Sequence, residues 1–222
     1  RQFISVRTVS NGATITVAVT SLTGINDDMV RGRRLDDAAV TSLLDSASLI
    51  IAHNACFDRP HVERRFPGFA SRPWACSYQD VPWSAHGCRS AKLEYLLLTT
   101  FGEFFAGHRA LEDCQVGVHV LASRLPTGAL PMAMLLDAAR TTTVRVWATG
   151  APIGVKDLLK ARGYAWHPGD AARSKAWYRD VVESQVENEC AWLAEVAYAG
   201  RTPGHELTTL TALTRYSRRP IS

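Results

Sequence analysis

The sequence predicts an α/β domain followed by a small α+β module, and three features carry that expectation. Ser48-Leu49-Ile50-Ile51-Ala52 is a short, continuous apolar run, the pattern of a strand buried on both faces, as in a parallel sheet. Around it, residues 91–101, 111–121 and 129–139 carry apolar side chains at helical spacing. Beyond Arg140 the texture changes to β-branched and aromatic stretches broken by a short basic helix. The division into domains is therefore expected there, with residues 1–140 in the first and 141–222 in the second.

Taken in order, residues 3–9 alternate apolar and polar side chains and meet Ser10-Asn11-Gly12, which predicts a strand ending in a turn. Residues 25–30 read as a short helix with Asn26 as its N-cap. Residues 35–44 have helical spacing. The apolar strand at 48–52 ends at His53 and Asn54, and a helix is expected over 58–66. Residues 74–78 suggest another short strand. In the second domain, 144–147 reads as a strand and 155–161 as a basic helix ended by Gly163. Residues 164–166 and 176–181 can pair as a hairpin, a helix runs from Glu183 to about Tyr198, and the tail carries no clear pattern.

Composition narrows the class of protein. The 222 residues suffice for a domain and a smaller companion, and 46% are apolar, so a core can be buried. Lys and Arg number 25 against 21 Asp and Glu, a formal +4 that permits a polyanionic partner without demanding one. Residues 140–222 hold 12 basic and 8 acidic side chains, so the whole excess lies there. The five cysteines, Cys56, Cys76, Cys88, Cys114 and Cys190, are scattered and form no C-x-x-C pair. This suits a reduced, cytoplasmic protein and argues against a disulfide framework or a zinc ribbon. No apolar run reaches the ~18 residues that span a membrane, and no signal segment opens the chain. The first residue is Arg1 rather than Met, so the native start is expected upstream.

Two clusters carry chemistry. His53-Asn54-Ala55-Cys56-Phe57-Asp58 stands where the apolar strand gives way to a helix, the end of an α/β strand at which functional groups gather. His108-Arg109-Ala110-Leu111-Glu112-Asp113 puts an imidazole in a loop and a carboxylate five residues later, at a helix start. Hydrolysing a phosphodiester needs a hydroxide beside an anion that repels it. Two divalent metals meet that need, one activating water and both stabilising charge on phosphoryl and leaving oxygens. Asp58 and Asp113 can supply the carboxylate oxygens that hard cations such as Mg²⁺ prefer, and His108 can take the proton of the attacking water. Each also has a plainer explanation: a first-turn Asp as cap or dipole partner, His108 as a surface residue, and His53 as a satisfied, partly buried histidine.

The segment LIIAHNACFD at 49–58 resembles the second exonuclease motif of the DnaQ-like DEDDh 3′–5′ exonucleases, the group that includes the proofreading subunit of bacterial replicative polymerase. GHRALEDC at 107–114 resembles their third motif, H-x-A-x-x-D, and VTSLTGI at 19–25 is similar to the segment that precedes the second. The likeness covers roughly residues 6–125. It implies a ribonuclease H-like mixed sheet with helices on both faces, Asp58 and Asp113 as metal ligands for two Mg²⁺ or Mn²⁺ ions, and His108 as general base. It also implies that His53, Asn54 and Phe57 lie by the substrate strand.

The family's first motif, an Asp-x-Glu on the first strand, has no counterpart, since residues 3–9 carry Arg7 and Val9 where such a pair would be sought. Either this strand replaces the first one and the protein is a pseudo-enzyme, or the first strand lies upstream of Arg1. The spacing to the Leu-Thr-Gly-Ile segment favours the second alternative. On it, these 222 residues alone are expected to be inactive, because two carboxylates are too few for two dications.

In the second domain, basic and aromatic residues interleave between 143 and 181, a composition suited to single-stranded nucleic acid. Lys156, Lys160, Arg162 and Lys175 are the candidate phosphate contacts, and the stretches 158–166 and 175–178 resemble a module appended to some bacterial DnaQ-like proteins. Equally, the rings can be the core of a small unit that needs large side chains for stability. The expectation is an exonuclease acting on single-stranded DNA or the 3′ ends of duplex DNA, in proofreading or repair, with a DNA polymerase as a candidate partner. An inactive nucleic-acid or polymerase-binding scaffold and an exoribonuclease stay open beside it.

Overall fold

The computed structural model describes residues 14–105, 107, 109–170, 173–201 and 204–219. The strand expected over residues 3–9 and the imidazole of His108 lie outside these. The chain divides into two compact units, Arg1–Ala139 and Arg140–Ser222.

Among the described residues the first element of unit 1 is α1 (Val17–Thr23), where the resemblance implies a loop over residues 11–20. Its caps explain the difference. The Thr16 hydroxyl accepts the Val19 N–H, and Gly24, at φ 66°, closes the helix in the left-handed conformation that glycine adopts without penalty. Helix α2 (Asp27–Val30) starts on Asn26, whose side chain accepts the Met29 N–H as the sequence suggests. Helix α3 (Asp37–Ser46) is capped by Asp36 and buries Val40 and Leu44. Strand β1 (Ile50–Ala52) then pairs in parallel with β2 (Trp74–Cys76), Ile50 opposite Trp74 and Ala52 opposite Cys76.

The connection between them carries α4 (Ala55–Arg65), which begins three residues before the expected start at Asp58. Asn54 sits at φ 74°, and the Phe57 N–H bonds its carbonyl, so the turn tightens directly into helix. This helix buries Ala55, Arg59 and Val62. Arg59 is fully buried. Its Nε donates to Glu63 Oε1 at 2.7 Å, and its guanidinium lies 5.4 Å from the centre of the Trp74 ring. A buried cation demands such company, because an uncompensated one costs several kcal/mol. Helices α5 (Leu93–Phe101), α6 (Ala110–Ala122) and α7 (Pro131–Arg140) complete the unit. Leu96, Leu97, Val120, Leu121 and Leu135 join Ala75, Val81 and Trp83 in one core. Among the described residues the unit's sheet has two strands, fewer than the mixed sheet implied by the resemblance.

Unit 2 is built on an antiparallel sheet of order β4-β5-β3-β6. The central strand β3 (Thr143–Ala148) pairs with β5 (Ala176–Val182) on one side and β6 (His205–Leu210) on the other. Strand β4 (Ala165–His167) forms the expected hairpin with β5. Strand β6 lies in the tail that carried no readable pattern. Val146, Ala148 and Val181 form a core with Leu159 of α8 (Lys156–Ala161), with Tyr164, and with Leu193, Ala197 and Tyr198, which follow α9 (Val186–Trp192). The helical stretch expected from Glu183 is a 3₁₀ turn, then α9, then a π turn over Leu193–Ala197. The chain is thus a mixed α/β protein with one parallel strand pair and one small antiparallel sheet. No helix among the described residues is long and apolar enough to cross a membrane.

Candidate functional site

The junction between β1 and α4 concentrates local departures from ordinary packing. Asn54 adopts the left-handed conformation, which Asn tolerates better than most side chains, and it makes no side-chain cap bond to the helix it precedes. Next to it, Phe57 is 64% exposed and leans on the His61 ring at 5.0 Å between centroids. His53 is pinned against the end of β2: its Nδ1 lies 2.9 Å from Ser77 Oγ, and its ring meets Tyr78 edge-on at 5.4 Å. His53 Nε2 is buried and makes no hydrogen bond of standard geometry among the described residues. Burial pushes this imidazole below its ordinary range, while the Ala91 carbonyl and the Glu94 charge pull the other way. The ring is therefore neutral at pH 7.

Asp58 stands in the first turn of α4 and is half-buried. Burial raises its carboxyl above the usual carboxylate range, opposed by His61 and by a backbone hydrogen bond. Asp113 stands in the first turn of α6, also half-buried, with its N–H on the Arg109 carbonyl at 2.8 Å. The two carboxylates meet electrostatically at Cys114. Burial raises that thiol first, and the charges of Asp113 and Asp58 raise it further. Cys114 adjoins Asp113 in the chain, so the longer-range influence is that of Asp58, whose charge reaches the start of α6.

The loop leading into α6 is anchored nearby. A Cβ at Gly107 would stand 2.6 Å from Glu94 Oε1, the end of a flexible side chain that a larger residue would push aside. At Gly24 a Cβ would meet Arg109 Nη2 at 3.1 Å. The block at 107–114 thus approaches the block at 19–25 through Arg109 and Gly24, and the charge of Asp58, from the block at 49–58, reaches its Cys114. Glu94, which bears on His53 and abuts Gly107, was not foreseen. In the sequence it is one more acid in the first turn of a helix, with nothing to separate it from a dipole partner.

The donor set is carboxylate, which matches a hard ion such as Mg²⁺ or Mn²⁺ in type. It falls short in number. Among the described residues no three His, Cys, Asp or Glu side chains converge as a metal site. Two carboxylates can share one ion and leave a second without ligands of its own.

Lys156 and Lys160 are exposed and one turn apart on α8, while exposed Lys175 stands at the loop end of the β4–β5 hairpin, away from the turn that holds Arg162. Arg162 donates from Nε to the buried Glu189 at 3.0 Å and stacks over Trp192 at 4.3 Å. Of the aromatics, Trp147 and Tyr164 are buried and Trp177 packs against the core, whereas Trp166 is 49% exposed.

No family model matches the chain, and no curated protein or solved structure matches it significantly.

Proposed function

We propose that the protein is a metal-dependent 3′–5′ exonuclease of the DnaQ-like DEDDh type, with unit 1 as a ribonuclease H-like nuclease domain and DNA 3′ ends as substrate. The observation that carries this is that the charge of Asp58, in the first turn of α4, bears on Cys114, the residue that follows Asp113 in the first turn of α6. In this reading Asp58 and Asp113 hold a hard divalent cation, which when bound supplies Lewis-acid stabilisation of the phosphoryl group and a more acidic water. His108, five residues before Asp113, takes the proton of the attacking water. Asn54 offers an exposed amide to the terminal nucleotide, and the Phe57 ring offers an exposed face on which a base stacks. His53, held neutral against Ser77, shapes the wall between them without adding charge.

The test is release of nucleotides from a 3′-labelled DNA strand by the full-length protein in Mg²⁺ or Mn²⁺. His108→Ala is expected to slow release by roughly 10²–10⁴-fold, Asp113→Asn and chelation to abolish it. Undiminished release by Asp113→Asn would remove the reading. Equal turnover of a matched RNA strand would shift the substrate to RNA. A second reading, an inactive scaffold that binds nucleic acid or a polymerase, is favoured by the shortage of converging donors among the described residues. It expects strand binding with no cleavage in any metal.

A further inference from the structure

Glu189 is 3% exposed and sits at the centre of unit 2. Its Oε1 accepts from Arg162 Nε at 3.0 Å and from the Tyr164 hydroxyl at 2.9 Å, and its Oε2 accepts from Arg179 Nη1 at 2.7 Å. One buried negative charge therefore holds two guanidiniums, a local excess of +1. Both arginine side chains keep about a third of their surface exposed, 33% for Arg162 and 32% for Arg179. A guanidinium has five N–H donors, and among the described residues each of these two arginines spends one on an acceptor, Glu189. Arg162 is fixed further by the Trp192 ring 4.3 Å beneath it. The result is a pair of oriented, half-exposed forks whose ordering cost is met inside the protein, the condition under which arginine binds phosphate oxygens well.

Two tryptophans lie beside them, at the edge of the sheet face that Val146, Ala148 and Val181 bury in the core. Trp177 and Arg179 are two apart on β5 and so share a face, and Trp166 stands opposite Trp177 in the ladder and shares it too. Trp166 is 49% exposed and inclined on Trp177 with centroids 5.3 Å apart, about 7 Å along the strand from Arg179. We propose that Arg162 and Arg179, positioned by Glu189, bind consecutive phosphates of a single-stranded nucleic acid while Trp166 stacks on a base. Unit 2 holds the whole basic excess of the chain, 12 basic against 8 acidic residues over 140–222, which favours a polyanion over an acidic side chain. The choice of nucleic acid as the polyanion rests on the exonuclease reading, and the site itself does not.

The experiment is fluorescence anisotropy of the full chain with a labelled oligo-dT strand in EDTA, where no cleavage intervenes, across a range of salt. Arg162→Gln with Arg179→Gln is expected to weaken binding at least tenfold and to flatten the log–log salt slope by about 1.4, two single-strand contacts at about 0.7 each. Trp166→Ala is expected to lower affinity with the slope unchanged. Inorganic phosphate at equal phosphate concentration is expected not to displace the strand. An unchanged slope in a folded double variant, or displacement by free phosphate, overturns the proposal. Because the double variant can fail to fold, a second measurement uses the unaltered protein: photocrosslinking to an iodouracil-substituted strand, with crosslinks expected within residues 162–192. Crosslinks confined to unit 1 overturn the proposal. Those results leave the nuclease assignment standing, and loss of cleavage in Asp113→Asn leaves this one standing.

Discussion

Units 1 and 2 each bury a charged side chain, and they treat it differently. In unit 2 the most deeply buried charge is Glu189, ahead of Arg215, and it is tied to three donors and screened by two arginines that reach solvent, beneath strands of six and seven residues. In unit 1 it is Arg59, wholly enclosed, with Glu63 and the Trp74 ring beside it and strands of only three residues. Unit 1 also brings four irregular residues together within 53–58, among others elsewhere in the unit such as the buried Arg72 Nε and the exposed Phe104: His53 with a buried nitrogen that makes no hydrogen bond of standard geometry, Asn54 left-handed, Phe57 exposed and Asp58 half-buried with a raised carboxyl. In unit 2 the left-handed non-glycine residues Ala199 and Tyr216 stand apart from one another. Rules broken together, rather than singly, point to a site that the rest of the fold holds in place.

The comparison can be broken most directly at the buried charges. Arg59→Met is expected to cost about 3–5 kcal/mol, because it takes from the enclosed Glu63 carboxylate its Arg59 partner. Adding Glu63→Leu should recover much of that loss, read as the denaturant midpoint. Glu189→Gln is expected to cost less, about 1.5–3 kcal/mol, since the arginines it releases can turn to water. Slower protection loss at β3 and β5 amides in hydrogen exchange than at β1 and β2 after Arg59→Met would fit this order, and a larger cost for Glu189→Gln would reverse it. His53 gives a smaller, pH-dependent effect. Its folded pKa is depressed, so its contribution is present above the unfolded value near 6.5 and is lost as pH falls through the folded one. Thermal midpoints should decline over that range, and His53→Gln should flatten the decline. The smallest effect is expected at Asn54→Gly, a gain of up to about 1 kcal/mol from relieved strain. Nucleotide release should fall in the same variant, because the amide is lost.

Much of the secondary structure was legible. The apolar run at 48–52 announced a parallel strand, Asn26 announced a cap, and the hairpin of β4 and β5 followed from its aromatic and β-branched residues. Strand β6 was not legible because it alternates weakly and leaves Leu207 half exposed, with only Leu210 buried. Helix α1 was missed because Val17, Val19 and Thr20 are β-branched, and its caps at Thr16 and Gly24 decide the outcome. At the site, residue types and spacing marked Asp58 and Asp113. Glu94 and the Glu189 cluster depend on which helices pack together, and no local pattern carries that.

The central claim is that Asp58 and Asp113 share a hard cation. Titrating Mn²⁺ into the protein while following the two aspartate side-chain resonances tests it most directly. The expected result is paramagnetic broadening of both carboxyl signals together, with Asp58, whose carboxyl burial holds high, moving to a lower pKa when a diamagnetic Mg²⁺ replaces Mn²⁺. Broadening of one signal without the other, or of neither at concentrations that saturate the protein, would contradict it.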